Sequence, residues 1–173
     1  MQQLKVIENF FEKEEINFIK DYSEDVFTSK EIWGSSKHEW DKRLNTSLND
    51  ILLYKINSTV DFEIYDMIYK KTKKTFNMNP KGMSFFFYLN QSNINWHDDA
   101  GHAGAATIYL NQKWNRDYGG YFIYEKDNKL GIEYPTFNKC IFQSGGVHHA
   151  TTLTAKDAPV RKILQIFFKN EWI

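Results

Sequence analysis

The chain has 173 residues, a formal net charge of zero at pH 7 and one cysteine. That length suits a single domain whose core holds without disulfides, and one cysteine excludes an intramolecular bridge. Zero net charge argues against a nucleic-acid partner bound through a broad basic surface, and no apolar run approaches the roughly 20 residues a membrane span needs.

Ile16, Ile19, Tyr22 and Val26 recur at steps of three and four and predict one face of a helix. Glu12, Glu14 and Glu15 fall near its start, where the helix dipole favours acidic groups. From Thr28 to Asn49 the periodicity fails, and Trp33, Trp40 and Arg43 stand among turn-forming residues, so this stretch reads as mostly loop. A second helix is expected over Thr59–Phe76, with Ser58-Thr59-Val60-Asp61 resembling a capping box. Val60, Ile64, Met67 and Ile68 would form its apolar face. Lys70, Lys71, Lys73 and Lys74 crowd its last turns as a solvated basic end, and Asn79-Pro80 stops it.

After Pro80 the pattern changes to short β-rich runs. These are Ser84–Leu89, Ile94–His97, Ala105–Leu110, Gly120–Glu125, Leu130–Tyr134, Lys139–Phe142, His149–Leu153 and Arg161–Lys169, separated by turns such as Gly119-Gly120 and Gly145-Gly146. The 14 Phe, 10 Tyr and 5 Trp suit such half-buried pleated surfaces. Eight runs fit a jelly roll of two facing sheets. The expectation is one domain over residues 1–173, mainly β with flanking helices. Residues 1–80 form a helical and loop support, and residues 81–173 form the β core. Cys140 reads as a buried thiol on a strand, and one cysteine without a signal peptide fits a cytoplasmic setting.

The segment Trp96-His97-Asp98-Asp99 carries the chemistry. In a strand, residues i and i+2 share a face, so His97 and Asp99 would aim an imidazole and a carboxylate at one point, with Asp98 turned away. A third ligand must come from elsewhere, and Val147-His148-His149-Ala150 offers it. Two histidines and one carboxylate leave three positions of an octahedron open, the arrangement of non-haem iron(II) oxygenases. A structural zinc site would use four ligands, and only His102 or Asp98 stands nearby to complete one. Arg161 opens an otherwise apolar strand, where a buried guanidinium needs an anion. Its fork suits a carboxylate. Lys162 points to the opposite face.

These residues, with Thr107-Ile108-Tyr109-Leu110-Asn111, Trp114, Gly119-Gly120, Phe142, Leu164 and Phe167, resemble the prolyl 4-hydroxylase-like branch of the 2-oxoglutarate/Fe(II) dioxygenases. The resemblance spans roughly residues 84–169. It implies a double-stranded β-helix, a cupin-like jelly roll with iron between its sheets. It implies Fe(II), 2-oxoglutarate as cosubstrate, dioxygen, and ascorbate as a stimulant, with hydroxylation coupled to release of succinate and carbon dioxide. By the same resemblance Arg161 holds the distal carboxylate of 2-oxoglutarate, Tyr109 donates its hydroxyl to that carboxylate, and Tyr88 faces the cosubstrate. Gly119-Gly120 serves a turn.

Two departures from the family pattern stand out. A β-branched residue normally lies two places after the distal histidine, where Ala150 stands if His148 is the ligand. The spacing from His148 to Arg161 is also slightly long, with Lys156-Asp157-Ala158-Pro159 as an inserted turn. His148 is the preferred third ligand, giving His97, Asp99 and His148. The implied substrate is a peptidyl proline, with a free amino acid or other small molecule as the alternative. Thr28–Asn49 and the region after Trp114 would form the substrate walls. Nucleic-acid demethylases of the superfamily often carry a second arginine six residues after the cosubstrate arginine, and Phe167 stands there instead. A non-catalytic binding module and a cupin-like zinc enzyme complete the alternatives.

Overall fold

A computed structural model describes residues 3–29 and 34–169. In chain order the elements are β1 (Leu4–Ile7), α1 (Lys13–Ser29), β2 (Gly34–Ser35), α2 (Ser36–Glu39), β3 (Ile51–Lys55), α3 (Phe62–Phe76), β4 (Pro80–Tyr88) and β5 (Ile94–His97). There follow β6 (Gly104–Tyr109), a 3-10 turn (Arg116–Tyr118), β7 (Phe122–Lys126), β8 (Lys129–Glu133), β9 (Cys140–Ser144), β10 (His149–Thr151) and β11 (Arg161–Phe168). Two antiparallel sheets result: β1-β9-β6-β11-β4-β3-β2 and β5-β10-β7-β8. This is the mainly β, double-stranded β-helix architecture anticipated from the strand-rich second half.

Alternation along the large sheet separates two cores. Phe85 and Phe87 of β4, Ile108 of β6, Cys140 and Phe142 of β9, and Leu164, Ile166 and Phe168 of β11 face outward. There they pack under α1 and α3 through Ile16, Ile19, Val26, Ile64 and Ile68. The alternate residues Phe86, Tyr88, Tyr109, Ile141 and Ile163 face inward toward the small sheet. Lys162 has the outward parity, and its ammonium pairs with Glu24 of α1.

Several local expectations change. β1 and β3 carry no clear period of their own, being short and fixed by pairing, β1 with β9 and β3 with β4. Val60 is 78% exposed and precedes α3 instead of joining its apolar face. Asp61 occupies the N-cap position but makes no side-chain cap bond. Its buried carboxylate instead accepts hydrogen bonds from the hydroxyls of Tyr22 and Tyr54, the latter at 2.9 Å, and from the Asn57 amide at 2.6 Å. That cluster ties α1 to β3 and to the start of α3. Burial and the Asp61 charge push the Tyr22 phenol well above its ordinary range. Asp61→Ala should cost about 2–4 kcal/mol, because it removes the charged acceptor shared by two partly buried phenols and the Asn57 amide. Urea unfolding of the variant against Tyr22→Phe, which leaves the carboxylate its other donors and should cost less, checks this.

Candidate metal and cosubstrate site

β5 and β10 are neighbours in the small sheet, with His97 opposite His149. Their ring centroids lie 4.2 Å apart. Each ring is turned by the same device. His97 Nδ1 lies 2.7 Å from the Asn95 carbonyl and His149 Nδ1 lies 2.8 Å from the Val147 carbonyl. A carbonyl only accepts, so both Nδ1 atoms carry hydrogen, and in the neutral form of each ring Nε2 presents its lone pair. Carbonyl partners of this kind orient metal-binding imidazoles.

Asp99 supplies the anion. The strand ends at His97, and Asp99 adopts a left-handed backbone with φ of 49°, a conformation aspartate tolerates better than most residues. Convergence with His97 therefore comes from a turn after the strand and not from the two-residue period of a continuous strand. The turn is held by Asp99 and Asp98 carbonyls, which accept from the His102 and Gly146 amides at 2.9 and 2.8 Å. Asp99 Oδ1 lies 3.6 Å from His97 Nε2, and Oδ2 lies 3.5 Å from His149 Nε2. The three donor atoms all fall within 4.8 Å of one another. Two neutral imidazoles and one carboxylate at this separation fit a single divalent ion with open positions.

The electrostatics agree with that donor set. Burial lowers the His97 pKa, reinforced by the neighbouring His149 and opposed by Asp99. Burial works against the Asp99 charge, yet a hydrogen bond from His149 and the pull of His149, His97 and His102 when protonated outweigh it and keep the carboxyl below its ordinary range in the metal-free site.

His148, the histidine preferred from sequence, is not part of this cluster. Its side chain is 60% exposed, and its Nε2 lies 3.9 Å from Asp98 Oδ2 on the outside. β10 starts at His149, and alternation puts His149 and Thr151 inward, so His148 turns out. Asp98 is the outward partner, as expected.

The second half of the site is Arg161. It is 1% exposed, and Nε, Nη1 and Nη2 find no hydrogen-bond acceptor among the described residues. Its guanidinium lies 4.3 Å from the Tyr88 ring and 5.1 Å from the Tyr109 ring. The buried Tyr109 hydroxyl also lacks a partner, and burial pushes that phenol up to about 12 against the pull of Arg161. A desolvated guanidinium beside a free hydroxyl donor is costly to leave alone, so the pair fits a carboxylate. Tyr88 meets Arg161 through its ring face. Gly120 leaves room for this arrangement: a Cβ there would sit 2.9 Å from Arg161 Cδ, and its φ is 68°. Its role therefore goes beyond a turn. Gly120→Ala should displace the Arg161 stem and destabilise the fold by about 1–3 kcal/mol, read by urea unfolding.

A cavity of about 130 Å³ opens beside the triad. Tyr88, Ile94, Phe122 and Thr151 line it together with His97, Asp99 and His149, and Trp40, Leu44, Phe86, His102 and Phe167 also bound it. Thr107 and Gln165 contribute a polar pair, with the Thr107 hydroxyl donating to Gln165 Oε1 at 2.7 Å. Sequence reasoning overlooked Gln165, Thr151 and His102 as cavity residues. Parity was the available signal for the first, since Gln165 lies four places after Arg161 on the same strand face. Of the expected substrate walls, Trp40 and Leu44 from Thr28–Asn49 and Phe122 from the region after Trp114 line the cavity, with the Trp40 ring tilted against Phe86 at 5.3 Å. Trp33 lies outside the described residues. Arg43 is exposed and pairs with Asp41, and the Trp114 indole donates to the Gly119 carbonyl at 2.9 Å, so neither lines the cavity.

No protein-family model and no curated protein matches the sequence. Solved structures do match along nearly the whole chain. A prolyl-4-hydroxylase from Pseudomonas putida superposes with a TM-score of 0.72 at 14% identity, covering 96% of this chain and 92% of that one. A prolyl hydroxylase from Trichoplax adhaerens, bound to a hypoxia inducible factor peptide, gives 0.74 at 14% identity, covering 97% and 84%. The non-haem α-ketoglutarate-dependent epimerase SnoN of nogalamycin biosynthesis gives 0.72 at 9% identity, covering 96% and 77%. The chain thus has the fold of the 2-oxoglutarate/Fe(II) oxygenases, the fold expected from its motifs.

Proposed function

We propose that the protein is an Fe(II)- and 2-oxoglutarate-dependent dioxygenase that hydroxylates its substrate. His97, Asp99 and His149 hold the metal, which replaces the His97, Asp99 and His148 set preferred from sequence. Arg161 and the Tyr109 hydroxyl receive the distal carboxylate of 2-oxoglutarate, with the Tyr88 ring as the wall of that subsite. The observation that carries this reading is the buried Arg161 without a hydrogen-bond acceptor among the described residues. A triad alone suits many metalloproteins, including a cupin-like zinc enzyme, but a guanidinium and phenol inside the same barrel call for a cosubstrate with a carboxylate.

When bound, iron, 2-oxoglutarate and dioxygen supply the oxidising power: one oxygen atom enters succinate, carbon dioxide leaves, and the other oxygen is inserted into a C–H bond of the substrate. The chain's own residues position and protect. Carbonyls of Asn95 and Val147 fix the imidazoles, Asp99 balances metal charge, Arg161 and Tyr109 set the cosubstrate's direction, and the aromatic walls exclude water.

The preferred substrate is a prolyl residue of a peptide or protein, with a small molecule second. Trp40, Phe86 and Phe167 line the cavity, and aromatic side chains pack well on a pyrrolidine ring. The neighbours support both classes, since two are prolyl hydroxylases and one is an epimerase of antibiotic biosynthesis. A cytoplasmic setting belongs to the same proposal; among the described residues no helix is long and apolar enough to cross a membrane. The test incubates purified protein with Fe(II), 2-oxoglutarate and ascorbate, measures succinate, and surveys proline-containing peptides by mass spectrometry. Iron-dependent succinate formation is expected, with one oxygen gained on proline. Absence of succinate under every iron-loaded condition overturns the enzyme reading. Turnover with a hydroxylated metabolite and no oxidised peptide overturns the prolyl assignment alone.

A further inference from the structure

We infer that Gln143 is a positioning residue for Asp99: its amide N–H holds one carboxylate oxygen and leaves the other free for the metal. This rests on the metal-site reading above. Gln143 lies on β9, opposite Ala105 of β6 and Leu4 of β1, and is 1% exposed. Its Nε2 lies 3.3 Å from Asp99 Oδ2 and 3.3 Å from His149 Nε2. Its Oε1 is buried with no donor among the described residues. A glutamine kept for structure would pair both ends. Among the described residues this side chain directs its amide N–H at Asp99, and its contact with His149 Nε2 gives way when that lone pair takes a metal.

The orientation of the amide follows from its neighbour. An amide oxygen turned toward Asp99 would meet carboxylate lone pairs, so the NH2 group must face it. In the neutral, metal-binding form both imidazoles donate through Nδ1 to backbone carbonyls and have no hydrogen on Nε2 to give to Asp99. With a metal engaged by both Nε2 atoms, Gln143 is the remaining side-chain donor to that carboxylate among the described residues. Asp99 needs one, because it sits in a left-handed turn beyond the end of β5, where no strand fixes its side chain. Outer partners of this kind are worth about 10- to 100-fold in metal affinity.

The probe is Co(II) alone, titrated into the full chain and followed by visible absorption, with apo-protein melting as the control for folding. Gln143→Met fills the space without a donor. Gln143→Asn keeps an amide but withdraws it by one methylene. Co(II) affinity should fall about 10- to 100-fold in the methionine variant, with an altered cobalt spectrum and an apo melting temperature no lower than wild type, and by a smaller factor in the asparagine variant. His148→Ala should match wild type. Equal Co(II) affinity and spectra in wild type and both variants overturn this inference and leave the metal site standing. Failure of the wild type itself to bind Co(II) overturns the metal site and this inference with it.

Discussion

His149→Ala should abolish metal binding and turnover, whereas His148→Ala should leave both close to wild type. The two residues are adjacent, but strand alternation sends them to opposite faces. His149 is buried within 3.5 Å of Asp99, and His148 is exposed beside Asp98. Removing one of three donors should exceed the 10- to 100-fold loss typical of an outer partner, because the metal loses a bond and not a bond's orientation. The aspartates repeat the contrast: Asp99→Ala should behave like His149→Ala, and Asp98→Ala like His148→Ala. Co(II) titration and succinate formation report the two quantities separately. A dead His148→Ala with an active His149→Ala would mean that β10 is shifted by one residue, which would also turn Thr151 out of the cavity.

The same pair marks how far the sequence could be read. Strand β5 was legible to the residue, Ile94–His97, because Asn and Ser turn residues bound it and apolar positions alternate inside it. Arg161 was legible because a charge heading the run Ile163-Leu164-Gln165-Ile166 demands a partner. The choice between His148 and His149 was not, since it depends on where β10 begins pairing with Phe122–Tyr124 of β7 and with His97 of β5. That register is set by contacts between distant segments. A local signal did exist: Thr151 is β-branched and shares parity with His149, whereas Ala150 shares parity with His148. Asp99 converged for a different reason from the one expected, a left-handed turn whose hydrogen bonds come from His102 and Gly146. Gln143 was invisible because only its burial against Asp99 distinguishes it from any strand glutamine. β1 and β3 escaped for want of a period, and their places come from sheet neighbours.

Arg161→Met should separate two effects that usually travel together. The Arg161 guanidinium is buried with no hydrogen-bond acceptor among the described residues, and an uncompensated buried charge costs free energy. Methionine fills similar space without that cost, so the apo variant should melt at or above the wild-type temperature. Cosubstrate binding should move the other way. Truncating one partner of a buried charge pair typically costs about 2–5 kcal/mol, so the 2-oxoglutarate dissociation constant should rise by about 30-fold to a few thousandfold. Co(II) affinity should stay near wild type, because Arg161 is not among the triad's hydrogen-bond partners. Tyr109→Phe removes one neutral donor and should cost about 0.5–1.5 kcal/mol of the same binding energy. Melting curves of both variants with Co(II), with and without 2-oxoglutarate, read all of these quantities at once. The wild type should gain stability from the cosubstrate, Tyr109→Phe somewhat less, and Arg161→Met almost none at the same concentration. An Arg161→Met protein stabilised by 2-oxoglutarate as strongly as wild type would show that the carboxylate is held elsewhere. Lys162 is a poor substitute, since its ammonium faces α1 and pairs with Glu24 on the far side of the sheet.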